Sequence, residues 1–119
     1  EAVTGTRPTL VRLPYGDYDD NAIRAVRSIG MEPIQWDVDS LDWKEIPADE
    51  IVQRVTKKVQ PGSIVLFHNA ALHTPEALPT ILETLIQEGY TFVPISQLIL
   101  TGEYNADYTI DHTGRQCPA

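Results

Sequence analysis

Ser63-Ile64-Val65-Leu66-Phe67-His68-Asn69 is an unbroken apolar run closed by a histidine and an asparagine. A strand that is apolar at every position, rather than alternating, is buried on both faces, the habit of parallel sheets covered by helices. The flanks agree. Upstream, Pro47 and Ala48-Asp49-Glu50 open a helix in which Ile51, Val52, Val55 and Val59 recur at helical spacing, and Pro61-Gly62 ends it. Downstream, Thr74 reads as an N-cap with Pro75 at the first helical position. Leu78, Ile81, Leu82 and Leu85 are expected on the inner side of that helix, and Gly89 terminates it. Further out, Thr9 to Leu13 reads as a strand closed by Pro14. Asp17 or Asp19 caps a helix with Ile23, Val26 and Ile29 on one face and Gly30 at its end. Pro33 to Val38 is expected as a second strand and Tyr90 to Pro94 as a fourth, with Ser96 capping a short helix that holds Leu98 and Ile99. Strand and helix alternate throughout, which predicts an α/β fold of parallel strands with helical crossovers.

In such a sheet the C-terminal ends of all strands share one edge, where ligands and catalytic groups collect. Three successive strand ends here carry different chemistry: Arg12, then the carboxylates Asp37, Asp39 and Asp42, then His68. Arg12 follows apolar residues, so a structural ion pair with Asp37 or Asp39 is one reading. Three carboxylates in one loop repel each other, so at least one needs a partner that stabilises its charge. Tyr15 could be a turn aromatic covering the strand end, or its backbone N–H could donate into a cleft. His68 could be a satisfied core histidine, or a titrating group oriented by a neighbouring carboxylate.

Arg12-Leu13-Pro14-Tyr15, Asp39-Ser40-Leu41-Asp42-Trp43 and Leu66-Phe67-His68 together resemble the R-x-P-Y/F, D-x-x-D-W and L-x-H stretches of the polysaccharide deacetylases of carbohydrate esterase family 4, in the same order. The resemblance spans roughly residues 5 to 100. It implies the C-terminal half of a distorted (β/α) barrel. It implies that His68 is a general acid, that Asp42 or Asp39 bonds it (Asp42 preferred), and that Arg12 orients a catalytic base. It implies that the Tyr15 N–H stabilises an oxyanion, and it places Trp43, Leu66, Pro14 and Asp39 against substrate, with Trp43 as a wall of an apolar groove and Leu66 lining the acetyl pocket. The reaction implied is metal-dependent removal of acetyl groups from an N- or O-acetylated polysaccharide.

The family's T-F-D-D-G and H-x-x-x-H stretches, which carry the base and the metal ligands, are absent from this sequence. Asp19-Asp20 reads as a helix cap, and His68 and His73 lack an evident third ligand, whereas a catalytic zinc needs three. No metal ligand is therefore expected among these residues. The resemblance implies a divalent metal, zinc or cobalt, held by an N-terminal half of the same domain. That half is the expected protein partner, without which the enzyme is expected to be inactive. Action outside the cytoplasm on a bacterial cell wall is implied by resemblance only. Residues 1–101 are expected to form the C-terminal part of the catalytic domain and 102–119 a polar tail, disordered or wrapped on the missing half.

Of 119 residues, 42% are hydrophobic, enough for a packed core, and the formal net charge is −8. That charge disfavours nucleic acid, which demands a basic face, and anionic membrane surfaces. No apolar run is long enough to span a bilayer. The single cysteine, Cys117, makes no internal disulfide. A second hypothesis is a non-catalytic carbohydrate-binding or regulatory module without a metal site. A receiver-like signalling domain fits less well, because no lysine closes the fourth expected strand.

Overall fold

The computed structural model describes residues 2–99 and 107–118. They fall into two compact units, one formed by Trp36–Ile99 and the other by the described residues of Glu1–Gln35 and Leu100–Ala119.

The chain opens with a β-α-β element. β1 (Leu10–Val11) and β2 (Glu32–Pro33) pair in parallel, Leu10 opposite Glu32 and Val11 opposite Pro33. The Glu32 and Ile34 N–H groups donate to the Thr9 and Val11 carbonyls, so the ladder steps over Pro33, which has no N–H to give. The crossover is α1 (Asp20–Ser28). It starts where it does because the Asp19 carboxylate accepts the Ala22 N–H at 2.7 Å, satisfying a donor that the first turn leaves free. It ends at Gly30, whose φ of 81° only glycine adopts freely.

The second unit repeats the element. β3 (Val38–Asp39) and β4 (Val65–Leu66) pair in parallel, Val38 opposite Val65 and Asp39 opposite Leu66, and α2 (Ala48–Lys58) is the crossover. Asp37 pins the pair, its carboxylate accepting the Ser63 hydroxyl at 2.6 Å and the Ile64 N–H at 2.7 Å. α3 (Thr74–Gln87) follows. Ile51 and Val55 of α2 pack with Ala77, Ile81 and Leu85 of α3 into a buried core, backed by Val65 and Phe67 from the strand. The four-residue spacing puts each set on one helix face, and each large aliphatic side chain buried there stabilises the unit by about 1.5–3 kcal/mol. The chain ends in a hairpin of β5 (Tyr108–Ile110) and β6 (Gln116–Pro118), which belongs to the unit of β1.

The parallel strands and helical crossovers stand as expected, and five details differ. Pro33 to Val38 is not one strand but β2 and β3, in different units. Tyr90 to Pro94 forms no strand: Tyr90 is spent on the α3 terminus, its N–H bonding Leu85 O and its hydroxyl Val59 O, and residues 91–94 are exposed. Leu78 and Leu82 lie on the outer side of α3, because Ala77, Ile81 and Leu85 take the inner face. His73, not Thr74, occupies the N-cap position of α3, and the Thr74 hydroxyl is engaged elsewhere. Ser96 lies inside a 3-10 turn, Ile95–Gln97, that Pro94 begins.

The hairpin was not evident from its polar composition because one side chain, not apolar alternation, shapes it. The Asp111 carboxylate accepts the Thr113 hydroxyl, the Thr113 N–H and the Arg115 N–H. Those bonds, the Thr113 hydroxyl first, hold its pKa down to about 2. The boundary expected between residues 101 and 102 lies outside the described residues. No helix among the described residues is long and apolar enough to cross a membrane.

Candidate active site

Asp42 is completely buried, an expensive place for a carboxylate unless it is fully bonded. The backbone puts it there. Leu41, at φ 54°, and Glu45, at φ 58°, bracket a 3-10 turn, Asp42–Lys44. Two non-glycine residues in the left-handed region are each strained by about 1 kcal/mol or more. The first is supported by the Asp39 carboxylate, which accepts the Leu41 N–H at 2.9 Å. Turning at Leu41 drives the next side chain inward.

Three donors meet the buried carboxylate. Its Oδ1 lies 2.7 Å from His68 Nδ1, and its Oδ2 accepts the His68 N–H at 3.0 Å and the Thr74 hydroxyl at 2.6 Å. The His68 and Thr74 donors sit on either side of the loop between β4 and α3, so one carboxylate ties strand end, loop and helix start together. Buried Ser40 completes the turn by accepting the Asp42 N–H at 3.4 Å. Burial pushes the Asp42 pKa up, but the bonds from the His68 N–H, Thr74, the His68 ring and Ser40 outweigh it and leave it below the ordinary value.

With Nδ1 committed to Asp42, Nε2 is the nitrogen of His68 left to meet a ligand, and the side chain is 35% exposed. Trp43 stands beside it, edge-on to the imidazole with ring centroids 6.5 Å apart. At 55% exposed Trp43 is not a core residue. The Lys44 ammonium lies over the Trp43 ring, 5.3 Å from its centroid. Leu66 is buried in β4. Asp39 does not reach His68: its carboxylate is taken by Leu41, and its carbonyl accepts Arg54 Nε at 2.7 Å. The sequence reading missed Thr74, Ser40 and Arg54 as parts of this cluster. Thr74 carried a signal, but a hydroxyl before proline at a helix start reads first as a cap.

Arg12, Pro14 and Tyr15 belong to the other unit. Arg12 is exposed and makes no ion pair or side-chain hydrogen bond among the described residues of that unit. In the unit of His68 the Asp37 carboxylate is bonded by Ser63 and Ile64 and the Asp39 carboxylate by Leu41. Pro14 starts a 3-10 turn, Pro14–Gly16, in which Tyr15 has φ 58° and a fully exposed side chain. The turn's own bonds run from the Gly16 N–H to Leu13 O and from the Asp17 N–H to Pro14 O, so the Tyr15 N–H is not used by them. His73 is half-buried ahead of α3, and His112 is exposed in the hairpin turn. Among the described residues no group of three His, Cys, Asp or Glu side chains is placed to hold a metal ion.

The lowered Asp42 pKa carries a consequence for acid stability. A carboxylate depressed in the folded state contributes stability that is complete above its unfolded pKa, about 3.9, and lost as pH falls through the folded value. Thermal unfolding followed from pH 5 to pH 2 is expected to show a falling midpoint. Asp42→Asn is expected to flatten that dependence. An unaltered slope in the variant would mean that Asp42 is not the titrating group. Asp111, held down to about 2, contributes to the same fall, and comparison with Asp42→Asn isolates the Asp42 share.

No family model matches the chain. It is 37% identical over 98 residues to the peptidoglycan-N-acetylmuramic acid deacetylase PdaC of Bacillus subtilis, covering 82% of this chain and 20% of that protein. It is 38% identical over 95 residues to the peptidoglycan-N-acetylglucosamine deacetylase PgdA of Listeria monocytogenes, covering 80% of this chain and 20% of that protein. Among solved structures it superposes on a family 4 carbohydrate esterase pseudoenzyme from Bacillus anthracis with a TM-score of 0.75 and 35% identity, over 82% of this chain and 34% of that one. The chain thus spans about a fifth of the length of these curated relatives. Its sequence and its two parallel β-α-β elements follow the C-terminal part of those proteins, and the chain belongs to the polysaccharide deacetylases of carbohydrate esterase family 4, of whose distorted (β/α) barrel it is a part.

Proposed function

We propose that this chain serves a deacetylase that releases acetate from N- or O-acetylated sugars of a polysaccharide, and that His68 is its general acid. The observation that carries the reading is the His68–Asp42 pair: a buried carboxylate 2.7 Å from Nδ1, a partly exposed ring, and an exposed tryptophan beside it. A carboxylate on Nδ1 fixes the ring's orientation and directs Nε2 outward, as proton delivery to a leaving amine or sugar oxygen requires. Trp43 offers a flat apolar surface to a sugar face, with Leu66, Pro14 and Asp39 as further substrate-side residues. The Tyr15 N–H donates to the oxyanion of the tetrahedral intermediate, an interaction worth about 3–4 kcal/mol in such sites. Arg12 orients the base.

Family membership implies a divalent metal. The described residues do not supply its ligand set. Zinc or cobalt, bound by an N-terminal half of the same domain, is the pairing we propose. The two curated relatives are named for peptidoglycan, which supports an acetylated cell-wall glycan as substrate and a site of action outside the cytoplasm.

The test is acetate release by the full protein containing this segment, on N-acetylated peptidoglycan and on acetylated xylan, with the metal supplied. Release from either supports the reading. The likeness to a pseudoenzyme gives a second reading, a glycan-binding module, and binding of the glycan without any acetate release would establish that instead.

Arg12 admits a sharper expectation. Arg12→Lys should lower kcat/KM almost as far as Arg12→Ala, because a point ammonium does not reproduce the guanidinium's two-pronged grip on a carboxylate. Full activity in Arg12→Lys would reduce its role to charge alone.

A further inference from the structure

The Gln35 carboxamide nitrogen donates to two backbone carbonyls, Gly16 O at 2.8 Å and His112 O at 2.9 Å. Both partners are acceptors, so the nitrogen and not the oxygen of the amide must face them. Gly16 O belongs to the strained turn at Tyr15, and His112 O to the turn of the C-terminal hairpin. The hairpin is held to the same neighbourhood by a second bond, from the Tyr18 hydroxyl to Asp111 O. It is also fitted closely against Gln35. A Cβ added at Gly114, whose φ is 82°, would fall 2.8 Å from the Gln35 Cβ. Beyond its two backbone bonds the turn gets no help from the Tyr15 side chain, which lies wholly in solvent while its backbone sits at φ 58°. A non-glycine residue in that region persists only where its surroundings fix it.

We propose that Gln35 is a positioning residue, which braces the Pro14–Gly16 turn against the C-terminal hairpin and so fixes the direction of the Tyr15 N–H. The hairpin then has a task in the reaction through its bond to Gln35. The proposal rests on the reading of the Tyr15 N–H as oxyanion donor. Donors of that kind act through direction as much as distance, so a turn free to tilt loses stabilisation of the transition state with little change in substrate binding.

Two variants test it in the full protein. Gln35→Ala removes both bonds. Gln35→Glu keeps the size of the side chain but has no N–H to donate and sets a carboxylate against two carbonyls. Hydrogen exchange at the Gly16 and Asp17 amides, both bonded within the turn, reads the brace directly. Faster exchange there is expected in both variants, with the Ser40 amide of the other unit as an unaffected control. Activity is expected to fall about tenfold or more in kcat with KM changed less than about twofold, as for loss of an interaction made only in the transition state. Gly114→Ala, which crowds Gln35, should move exchange and kcat in the same direction. Unchanged exchange at Gly16 and Asp17 in Gln35→Ala would overturn the brace. So would normal exchange and kcat in Gln35→Glu, since only the bulk of the side chain would then matter. Faster exchange with an unchanged kcat would support the brace and strike out the Tyr15 oxyanion role instead, so the two failures are distinguishable.

Discussion

His68→Ala is expected to lower kcat for acetate release by about two to four orders of magnitude, the usual contribution of a positioned acid. The ring is the part that matters. Its Nδ1 is held by Asp42, which in the proposed scheme leaves Nε2 to deliver the proton. The His68 backbone N–H and the Thr74 hydroxyl keep their bonds to the Asp42 Oδ2, but the buried Oδ1 loses its partner. The variant is therefore also expected to melt below the parent, and its kinetics are read well below that midpoint. Metal content of the purified protein should equal that of the parent, since His68 is a proton donor in this scheme and not a ligand. Atomic absorption alongside steady-state kinetics separates the two roles. Metal lost from His68→Ala would make the residue a ligand. A rate within a few-fold of the parent would remove it from the proton transfer.

Asp42 is expected to divide into two effects according to the replacement. Asp42→Ala strands the Thr74 hydroxyl, the His68 N–H and the imidazole donor around a hole, and should destabilise the protein by about 3 kcal/mol or more, as loss of one partner of a buried charged network does. Asp42→Asn preserves the shape. Its oxygen can face the His68 N–H and Thr74, but its NH2 group then points at Nδ1 and requires that nitrogen to accept. The ring would be held in the wrong tautomer and discouraged from carrying a second proton. Asp42→Asn should therefore be nearly as slow as His68→Ala while melting closer to the parent, as thermal unfolding and kcat measured together will show. An Asp42→Asn protein of near-normal rate would mean that the carboxylate is structural, its work being to join β4 to the start of α3.

Helix boundaries were legible in the sequence because they are set locally. Asp19 caps α1, Gly30 stops it, Pro47 precedes α2, and Pro75 falls in the first turn of α3; each depends on residues a few positions away. The parallel β-α-β pattern was legible for a similar reason, since apolar periodicity records which face an element buries. The pairing of strands was not. Pro33 to Val38 reads as one strand by composition, yet Ile34 donates to Val11 and Val38 to Ile64, partners that no local rule selects. Tyr90 to Pro94 has strand-like residues, but a strand exists only where a ladder partner satisfies its backbone, and the N–H of Tyr90 goes to Leu85 at the end of α3.

The chemical types that meet in the second unit were written in the chain: carboxylates and a histidine, each after an apolar run. What chemistry alone left open was which carboxylate meets His68. Asp39 and Asp42 are three residues apart in one loop and are chemically identical. The left-handed turn at Leu41 decides between them geometrically, sending Asp42 inward to His68 and Thr74 and leaving Asp39 to bond the backbone that makes the turn. The hairpin and Gln35 lay beyond sequence reasoning altogether. Their contacts join residues 19, 77 and 93 positions apart, and a polar side chain between two distant carbonyls leaves no trace in periodicity or composition. Local chemistry thus determined the elements and the cast of reactive groups, and long-range hydrogen bonding decided which of those groups face one another, because a polar contact is specified by three-dimensional direction and not by distance along the chain.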